Sequence, residues 1–220
     1  MILIDVNLLN KFYKQGKDRT HVLKNISLQV NEGDFLGIVG PSGSGKTTLL
    51  YCLSSLEDID SGEILIEGEN IKDLDDKKIS ELRKNHFGFI FQFYNLIPNL
   101  SAYENILLAN VLADKVDEEK IDELLKLVDM FDYKNYFPNE LSGGMQQRIA
   151  IARALVNNPK VIFADEPTGN LDQKKGKEIM ELLKRLNQEK NITIILVTHN
   201  EDYLKYCSKT ITLIDGEFIE

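Results

Sequence analysis

Three glycines, a proline and a lysine lie close together in the stretch GPSGSGKTT, which runs from residue 40 to residue 48. Its first eight residues fit the pattern G-x-x-x-x-G-K-[ST], and the stretch lies between an apolar run and a helix-like run. In that context glycines let backbone N–H groups turn toward phosphate oxygens, and the start of the following helix adds positive potential. Lys46 is expected to reach the β- and γ-phosphates, and Thr47 to offer its hydroxyl to Mg²⁺. The candidate nucleotide-binding residues of this loop are Gly40, Pro41, Ser42, Gly43, Ser44, Gly45, Lys46, Thr47 and Thr48.

Two adjacent carboxylates, Asp165 and Glu166, follow the apolar run VIFA. Neighbouring strand residues face opposite ways, so the two carboxylates are expected to have different tasks. One can hold Mg²⁺ through water, and the other can polarise an attacking water as general base. His199 and Gln92 each end another apolar run, and the carboxyl ends of parallel strands share one edge of a sheet. At that edge an imidazole is expected to bond the phosphate or hold Glu166, and a neutral amide to ligate Mg²⁺ or the water.

A second helix start of the anion-binding kind occurs in ELSGGMQQRIAIARAL. Ser142 can serve as a helix N-cap, but an N-cap does not require the two glycines that follow it, Gly143 and Gly144. Ser-Gly-Gly at a helix start presents exposed N–H groups and a hydroxyl, which together suit an anion. Because the chain already has a loop for its own nucleotide, we expect this second start to bind the nucleotide of another copy. The sequence therefore predicts a dimer with nucleotide at its interface.

These residues need strands and helices to position them. ILIDVNLL and ISLQV alternate as antiparallel strands do, whereas DFLGIVG, HFGFIFQ, KVIFADE and ITIILVTH are short apolar strands that alternate with helices. Helices are predicted from about residue 45 to 53 and, by apolar spacing, around 121–128 and 179–186. The expected fold class is α/β, with a P-loop core built on a mostly parallel sheet, an N-terminal antiparallel β subdomain and an α-helical subdomain. We expect one domain over residues 1–220, with the helical subdomain inserted at approximately 93–158.

The composition, 43% hydrophobic and 28% charged, is that of an ordinary globular chain. A formal net charge of −9 disfavours nucleic-acid binding, since phosphate contacts need basic patches. The two cysteines, Cys52 and Cys207, lie far apart and fit neither a disulfide framework nor metal spacing, as is common in a reducing cytoplasm. No signal-peptide pattern is present, and the apolar runs are far shorter than the roughly 20 residues of a membrane span. Any membrane partner is therefore expected to be a separate chain.

Taken together, the motifs resemble those of the nucleotide-binding subunits of ABC transporters, over nearly the whole sequence. GPSGSGKT corresponds to the family's Walker A motif, LSGGMQQR to its signature, VIFADEP to its Walker B motif and GNLD, at residues 169–172, to its D-loop. Gln92 corresponds to the Q-loop and His199 to the H-loop. These motifs occur in the family's order and at roughly its spacing.

The resemblance implies a mechanism. ATP would bind between the Walker A motif of one subunit and Ser142–Gly144 of the other. Glu166 would act as general base, and Asp165 and Gln92 would help to hold Mg²⁺. The cofactors implied are thus ATP and Mg²⁺, and the enzyme implied is an ATPase coupled to transport.

Three further positions follow from the same resemblance. Tyr13 falls where the family places an aromatic residue that stacks on adenine, and Asp172 falls where the family couples its two sites. Met145 departs from the family, whose common signature has glutamine there. Because the serine and both glycines remain, we expect activity to persist.

Within the family, GPSGSGKTTLL, FGFIFQFYNLIPNLSAYENI and EPTGNLD are similar to the MacB/LolD group. That similarity implies export, lipoprotein release, antimicrobial-peptide resistance or mechanotransmission, with an integral-membrane permease on a separate chain. The subunit would be cytoplasmic, peripheral on the inner face of the cell membrane, and would bind no nucleic acid. An importer subunit and a soluble ABC-type ATPase are the alternatives. A small-molecule P-loop kinase is disfavoured, because it would have no use for LSGG.

The stretch FYNLIPNL, which follows Gln92, predicts where the permease docks. A loop with proline and asparagine residues cannot bury every large apolar side chain that it carries, and exposed apolar patches mark partner sites. The family places the permease's short cytoplasmic coupling helix beside this loop. The large apolar residues of the stretch are Phe93, Tyr94, Leu96, Ile97 and Leu100.

Overall fold

The computed structural model describes residues 1–16 and 18–219, which form two β-sheets and six α-helices. The strands are β1 (Ile2–Gln15), β2 (Asp18–Asn31), β3 (Phe35–Val39), β4 (Ser61–Ile66), β5 (Glu69–Asn70), β6 (Phe87–Phe91), β7 (Val161–Asp165), β8 (Thr193–Thr198), β9 (Lys209–Ile214) and β10 (Glu217–Ile219). The helices are α1 (Lys46–Leu53), α2 (Asp76–His86), α3 (Ala102–Val111), α4 (Glu118–Leu127), α5 (Gly143–Leu155) and α6 (Gln173–Lys190).

The larger sheet has the strand order β10-β9-β3-β8-β7-β6. Adjacent strands are parallel in every pair except β9 and β10, which are antiparallel. β3 and β8 are buried along their whole length, as their continuous apolar sequences predict. Asp165 pairs with Phe91 on one side and with Val197 on the other, and Val39 pairs with Thr198. This register brings the carboxyl ends of four strands to one edge. The residues that come directly after those ends are Gly40, Gln92, Glu166 and His199.

The smaller sheet is antiparallel, with the order β2-β1-β4-β5. Its buried face, which includes Leu9, Ile26 and Ile64, shares one hydrophobic cluster with Leu49 and Leu53 of α1. Because α1 packs between this sheet and the larger one, the helix that starts at the glycine loop is held from both sides. β1 also carries Tyr13 to the neighbourhood of α1.

Helices α3, α4 and α5 form the helical part of the chain between β6 and β7. Ser101 and Glu104 form a capping box at the start of α3, and Ser142 is the N-cap of α5. The predicted apolar face of α4 is buried at Ile121, Leu124 and Leu125, and so is Val128, which directly follows the helix. Throughout the part of the chain that is described, no helix has both the length and the apolar character needed to cross a bilayer.

The structure adds elements that the sequence patterns did not predict. Helix α2 has only two apolar residues, Ile79 and Leu82; neither is fully buried, although Leu82 packs against a core cluster. Asp75 caps the start of this helix by accepting from the N–H of Lys78 at 2.8 Å. β5 is only two residues long. A 3₁₀ helix, Glu201–Tyr206, follows β8.

Candidate nucleotide-binding site

The glycine loop joins β3 to α1, and different structural reasons favour glycine at its different positions. Gly40 passes so close to β9 that a Cβ there would lie 2.0 Å from the carbonyl oxygen of Leu213. Gly43 and Gly45 have φ angles of 81° and 99°, which residues with side chains rarely adopt. Among the described residues no side chain caps the start of α1, at Lys46. The first N–H groups of that helix therefore remain available to an anion in the loop.

Lys46 lies inside the curve of this loop and is only 7% exposed. Its Nζ donates to the carbonyl oxygens of Gly40 and Pro41, each at 2.8 Å. Burial lowers the pKa of Lys46, and the nearby carboxylates of Glu166 and Asp165 oppose that shift. An ammonium has three protons to donate, so two bonds fix its position and one proton remains for a phosphate oxygen.

Asp165 ends β7 opposite the first turn of α1. The hydroxyl of Thr47 donates to its Oδ1 at 3.0 Å. Burial raises the pKa of the Asp165 carboxyl, and the bond from Thr47 opposes that rise. Tyr51 stands one helical turn after Thr47, near Asp165; burial chiefly raises the pKa of Tyr51, and the nearby carboxylate raises it further. Sequence reasoning missed Tyr51, although its i+4 spacing from Thr47 was a usable signal.

Glu166 follows Asp165 but turns away from the strand. Its φ of 46° is in the left-handed region, and its N–H donates to the carbonyl oxygen of Val197 at 2.9 Å. A non-glycine residue held in this conformation is strained, as residues at functional sites often are. Its Oε1 lies 2.9 Å from Nδ1 of His199, whose side chain is 66% exposed. The two residues predicted to act together are thus in direct contact.

Gln92, the first residue after β6, is held by the D-loop. Nδ2 of Asn170 donates to the main-chain oxygen of Gln92 at 2.9 Å, and the Gln92 side chain reaches toward Oδ1 of Asn170 at 3.5 Å. A Cβ on Gly169 would lie 2.8 Å from Nε2 of Gln92, so a larger residue there would require the Gln92 side chain to move. The sequence did not single out Asn170, although it lies within the GNLD motif.

One cleft of about 410 Å³ is lined by half of the predicted site residues. Val22, from β2, is the one lining residue that the sequence analysis did not predict as part of the site. Ser44 lies in the same loop; its Oγ is buried and has no hydrogen-bond partner among the residues that the structure describes. An unpaired buried hydroxyl in a loop of N–H donors fits a phosphate group. The lining residues are Val22, Ser42, Gly43, Gly45, Lys46, Thr47, Thr48, Gln92, Glu166 and His199.

Tyr13 lies at the side of this cleft without lining it. Its ring is 40% exposed, and its hydroxyl contacts Oγ1 of Thr48 at 3.5 Å and donates to the carboxylate of Glu57. Lys11, which is 9% exposed, pairs with the same carboxylate at 3.1 Å. The exposed ring is therefore held next to a residue that lines the cleft.

Ser142, Gly143 and Gly144 do not line the cleft. The hydroxyl of Ser142 accepts from the N–H of Met145 at 3.4 Å, and Ser142 itself is exposed at the start of α5. Asp172 is also outside the cleft, where it caps α6 by accepting from the N–H of Lys175 at 2.9 Å. That backbone bond is the main cause of the lowered pKa of Asp172. Within one chain, the start of α5 is thus separate from the cleft in which α1 begins.

The site offers a metal ion oxygen donors, and not a cluster of histidine, cysteine or several carboxylate ligands. Within residues 1–16 and 18–219, no group of three His, Cys, Asp or Glu side chains is placed to hold a metal ion. The hydroxyl of Thr47 and the carboxylate of Asp165, 3.0 Å apart, are instead the donors that Mg²⁺ prefers when phosphates and water complete its coordination.

Comparison with known proteins gives a family for this geometry. The family model described as ABC transporter matches residues 23–169. The ABC transporter ATP-binding protein MJ1508 of Methanocaldococcus jannaschii is 46% identical over 99% of this chain and 98% of its own length. The macrolide export ATP-binding/permease protein MacB of Mannheimia succiniciproducens is 42% identical over 100% of this chain, which spans 34% of MacB.

A solved structure has the same fold. The dimeric, post-hydrolysis structure of the ATP-binding cassette MJ0796 of Methanocaldococcus jannaschii, bound to ADP and Pi, matches with a TM-score of 0.91 and 40% identity. The match covers 99% of this chain and 97% of that one. It confirms the predicted fold class, and the MacB relative confirms the resemblance to that group. The chain belongs to the ABC transporter family, as an ATP-binding cassette.

Proposed function

We propose that this cassette binds and hydrolyses ATP between two copies of itself and thereby drives a separate membrane permease of the MacB-like export group. The observation that carries this proposal is the separation of the two anion-binding helix starts: α1 begins in the cleft, and α5 begins outside it. A second copy can supply its α5 start to the first copy's cleft. The 40% identical cassette MJ0796 is dimeric in its structure with ADP and Pi, which supports this arrangement.

The loop would hold the phosphates of ATP. N–H groups from Ser42 to Thr48 surround them, and the free proton of Lys46 bonds the β- and γ-phosphates. Thr47 and Asp165 would hold Mg²⁺, with the amide of Gln92 completing the protein ligands. When bound, Mg²⁺ would neutralise charge that builds up on the transferred phosphoryl group.

Glu166 would act as general base on the attacking water. Its carboxylate accepts the water's proton, while His199, at 2.9 Å, holds the carboxylate and faces solvent at the γ-phosphate end of the cleft. Tyr13 would stack on the adenine, since its exposed ring is held at the cleft's side. Ser142–Gly144 of the second copy would bond the γ-phosphate from the other side, and Asp172 would couple the two sites.

The proposal is tested by measuring ATP hydrolysis per chain across a wide dilution series. If two copies form each site, hydrolysis per chain falls on dilution, because mass action dissociates the dimer. It reaches a plateau at high protein concentration. Hydrolysis per chain that stays constant on dilution, with light scattering reporting monomers, would contradict the shared site.

The loop after Gln92 supports the permease part of the proposal. Phe93 is 72% exposed and Ile97 is 41% exposed, whereas Tyr94 and Leu96 are partly buried and Leu96 packs against the core. A cleft of about 420 Å³ opens beside the loop, and Leu112, itself 58% exposed, lines it. Exposed apolar side chains next to an apolar cleft suit a short helix of a partner. The docking residues are therefore Phe93 and Ile97, and not the whole apolar set of the stretch.

Replacing Phe93 and Ile97 together with serine is expected to abolish co-purification with the permease and the stimulation of hydrolysis by it. Basal hydrolysis by the isolated subunit should remain near normal, since exposed side chains contribute little to stability. Ile219→Ser is the matched control: Ile219 is 49% exposed and lies on β10, at the opposite end of the sheet from β6. A double variant that still assembles with the permease at normal affinity would exclude this surface.

A further inference from the structure

The turn that follows Gln92 has an unusual backbone. Tyr94 and Asn95 have φ angles of 61° and 50°, so two consecutive non-glycine residues adopt the left-handed conformation. Residues with side chains are strained in this conformation, which persists only where surrounding contacts impose it. The contacts that impose it therefore determine how the segment after Gln92 moves.

Arg153, in the last turn of α5, supplies the main contact. Its NH2 donates to the carbonyl oxygen of Tyr94 at 2.7 Å, and its NH1 to that of Asn95 at 2.5 Å. Burial lowers the pKa of Arg153. Within the described chain no carboxylate forms an ion pair with it, so both arms of the guanidinium are directed at this turn. A planar guanidinium can hold two neighbouring carbonyls in one fixed geometry, which a lysine cannot.

The rest of α5 lies along the same segment. Gln147, fully buried in the middle of the helix, directs its Nε2 to the carbonyl oxygen of Phe91 at 3.5 Å. At the start of the helix, a Cβ on Gly143 would lie 2.6 Å from the hydroxyl of Tyr94. The segment on both sides of Gln92 thus contacts the first, middle and last turns of the helix that begins with Ser142.

We propose that Arg153 is a positioning residue that ties the turn after Gln92 to α5 as one unit, so that engagement of nucleotide at Gln92 aligns Ser142–Gly144 for the nucleotide of the second copy. This inference rests on the proposed shared site. Arg153 does not line the nucleotide cleft; it lines the second cleft, of about 420 Å³, and it acts through the carbonyls of Tyr94 and Asn95. If Arg153 served folding alone, its loss would weaken both the chain's own nucleotide cleft and the start of α5. In the proposed role, its loss weakens only the start of α5 that is offered to the second copy.

The test uses the full chain in a Glu166→Gln background, in which ATP is expected to hold the dimer. Arg153→Met keeps the side chain's length and removes both donated bonds. The monomer's affinity for a fluorescent ATP analogue should stay within about twofold, while the dimer's dissociation constant in ATP rises about tenfold, within the usual range of coupling between two sites. Arg153→Lys should restore the dimer only in part, because a single ammonium cannot hold both carbonyls in the planar geometry.

Arg148→Met is the matched control. Arg148 is also on α5, but it pairs with Asp129 and Glu178 and does not touch the turn. An Arg153→Met dimer as tight as the parent's, an equal loss of dimer in the Arg148 variant, or a parallel loss of monomer ATP affinity would each overturn the proposal. If Arg153→Met fails to fold, Arg153→Lys is judged by the same criteria. A parent that does not dimerise in ATP would instead overturn the shared site itself, so the two failures are distinguishable.

Discussion

Lys46→Ala is expected to weaken ATP binding at least tenfold and to abolish hydrolysis. The ammonium is buried, and two bonds of 2.8 Å to the carbonyls of Gly40 and Pro41 hold it where a phosphate would meet its remaining proton. A hydrogen bond to a charged group is worth about 1.5–3 kcal/mol, and roughly 1.4 kcal/mol is a factor of ten in affinity. Hydrolysis suffers more than binding, because the same charge also stabilises the transferred phosphoryl group.

Titration of a fluorescent ATP analogue measures the affinity, and phosphate release measures turnover. Lys72→Ala is a suitable control, since Lys72 also donates to a main-chain carbonyl, that of Gly62 in β4 at 2.9 Å, on an exposed surface away from the cleft. Thermal unfolding of both variants checks that the fold is intact. Equal affinities for Lys46→Ala and the parent would remove the assignment of this loop to phosphate binding.

Glu166→Gln is expected to reduce turnover by roughly 10² to 10⁴ while sparing ATP binding, which is the usual effect of losing a general base. The amide has the carboxylate's shape, and it can still pair with Nδ1 of His199, so the local backbone should not change. Unhydrolysed ATP would then remain between the two copies. Light scattering should report a monomer without nucleotide and a dimer with ATP.

Two controls make this result specific. Glu178→Gln changes an exposed carboxylate that pairs with Arg148 and should hydrolyse ATP at the parent's rate. Adding Ser142→Arg to Glu166→Gln places a bulky cation on the exposed start of α5 and should return the protein to a monomer in ATP. Normal hydrolysis by Glu166→Gln, or a protein that stays monomeric in ATP at high concentration, contradicts the proposed mechanism.

The glycine loop and the strand ends could be predicted because their signals are local. Left-handed φ angles at Gly43 and Gly45 require glycine whatever the rest of the chain does. The continuous apolar runs of β3 and β8 indicate strands buried on both faces, so the polar residues that end such strands had to meet at one edge. The parallel register of β6, β7 and β8 confirms that expectation.

Helix α2 escaped prediction for a physical reason. Its only apolar residues are Ile79 and Leu82, which are too few to mark an amphipathic helix in the sequence. The role of Asn170 could not be predicted for another reason. Its partner is the main-chain oxygen of Gln92, and every residue type has such an oxygen, so the sequence does not indicate the contact. The same applies to Arg153, which bonds two carbonyls 58 and 59 positions away in the chain.

The sequence by itself predicted the chemistry of this protein, because phosphate binding and water activation need particular residue types at particular spacings. It also predicted two helix starts of the anion-binding kind. Only the tertiary structure decided that the start at Ser142 lies outside the cleft, and that Phe93 and Ile97 are exposed while Leu96 packs inward. Burial and long-range contacts depend on how distant segments pack. Two apolar residues in the same stretch can therefore end up exposed or buried, and the sequence alone does not say which.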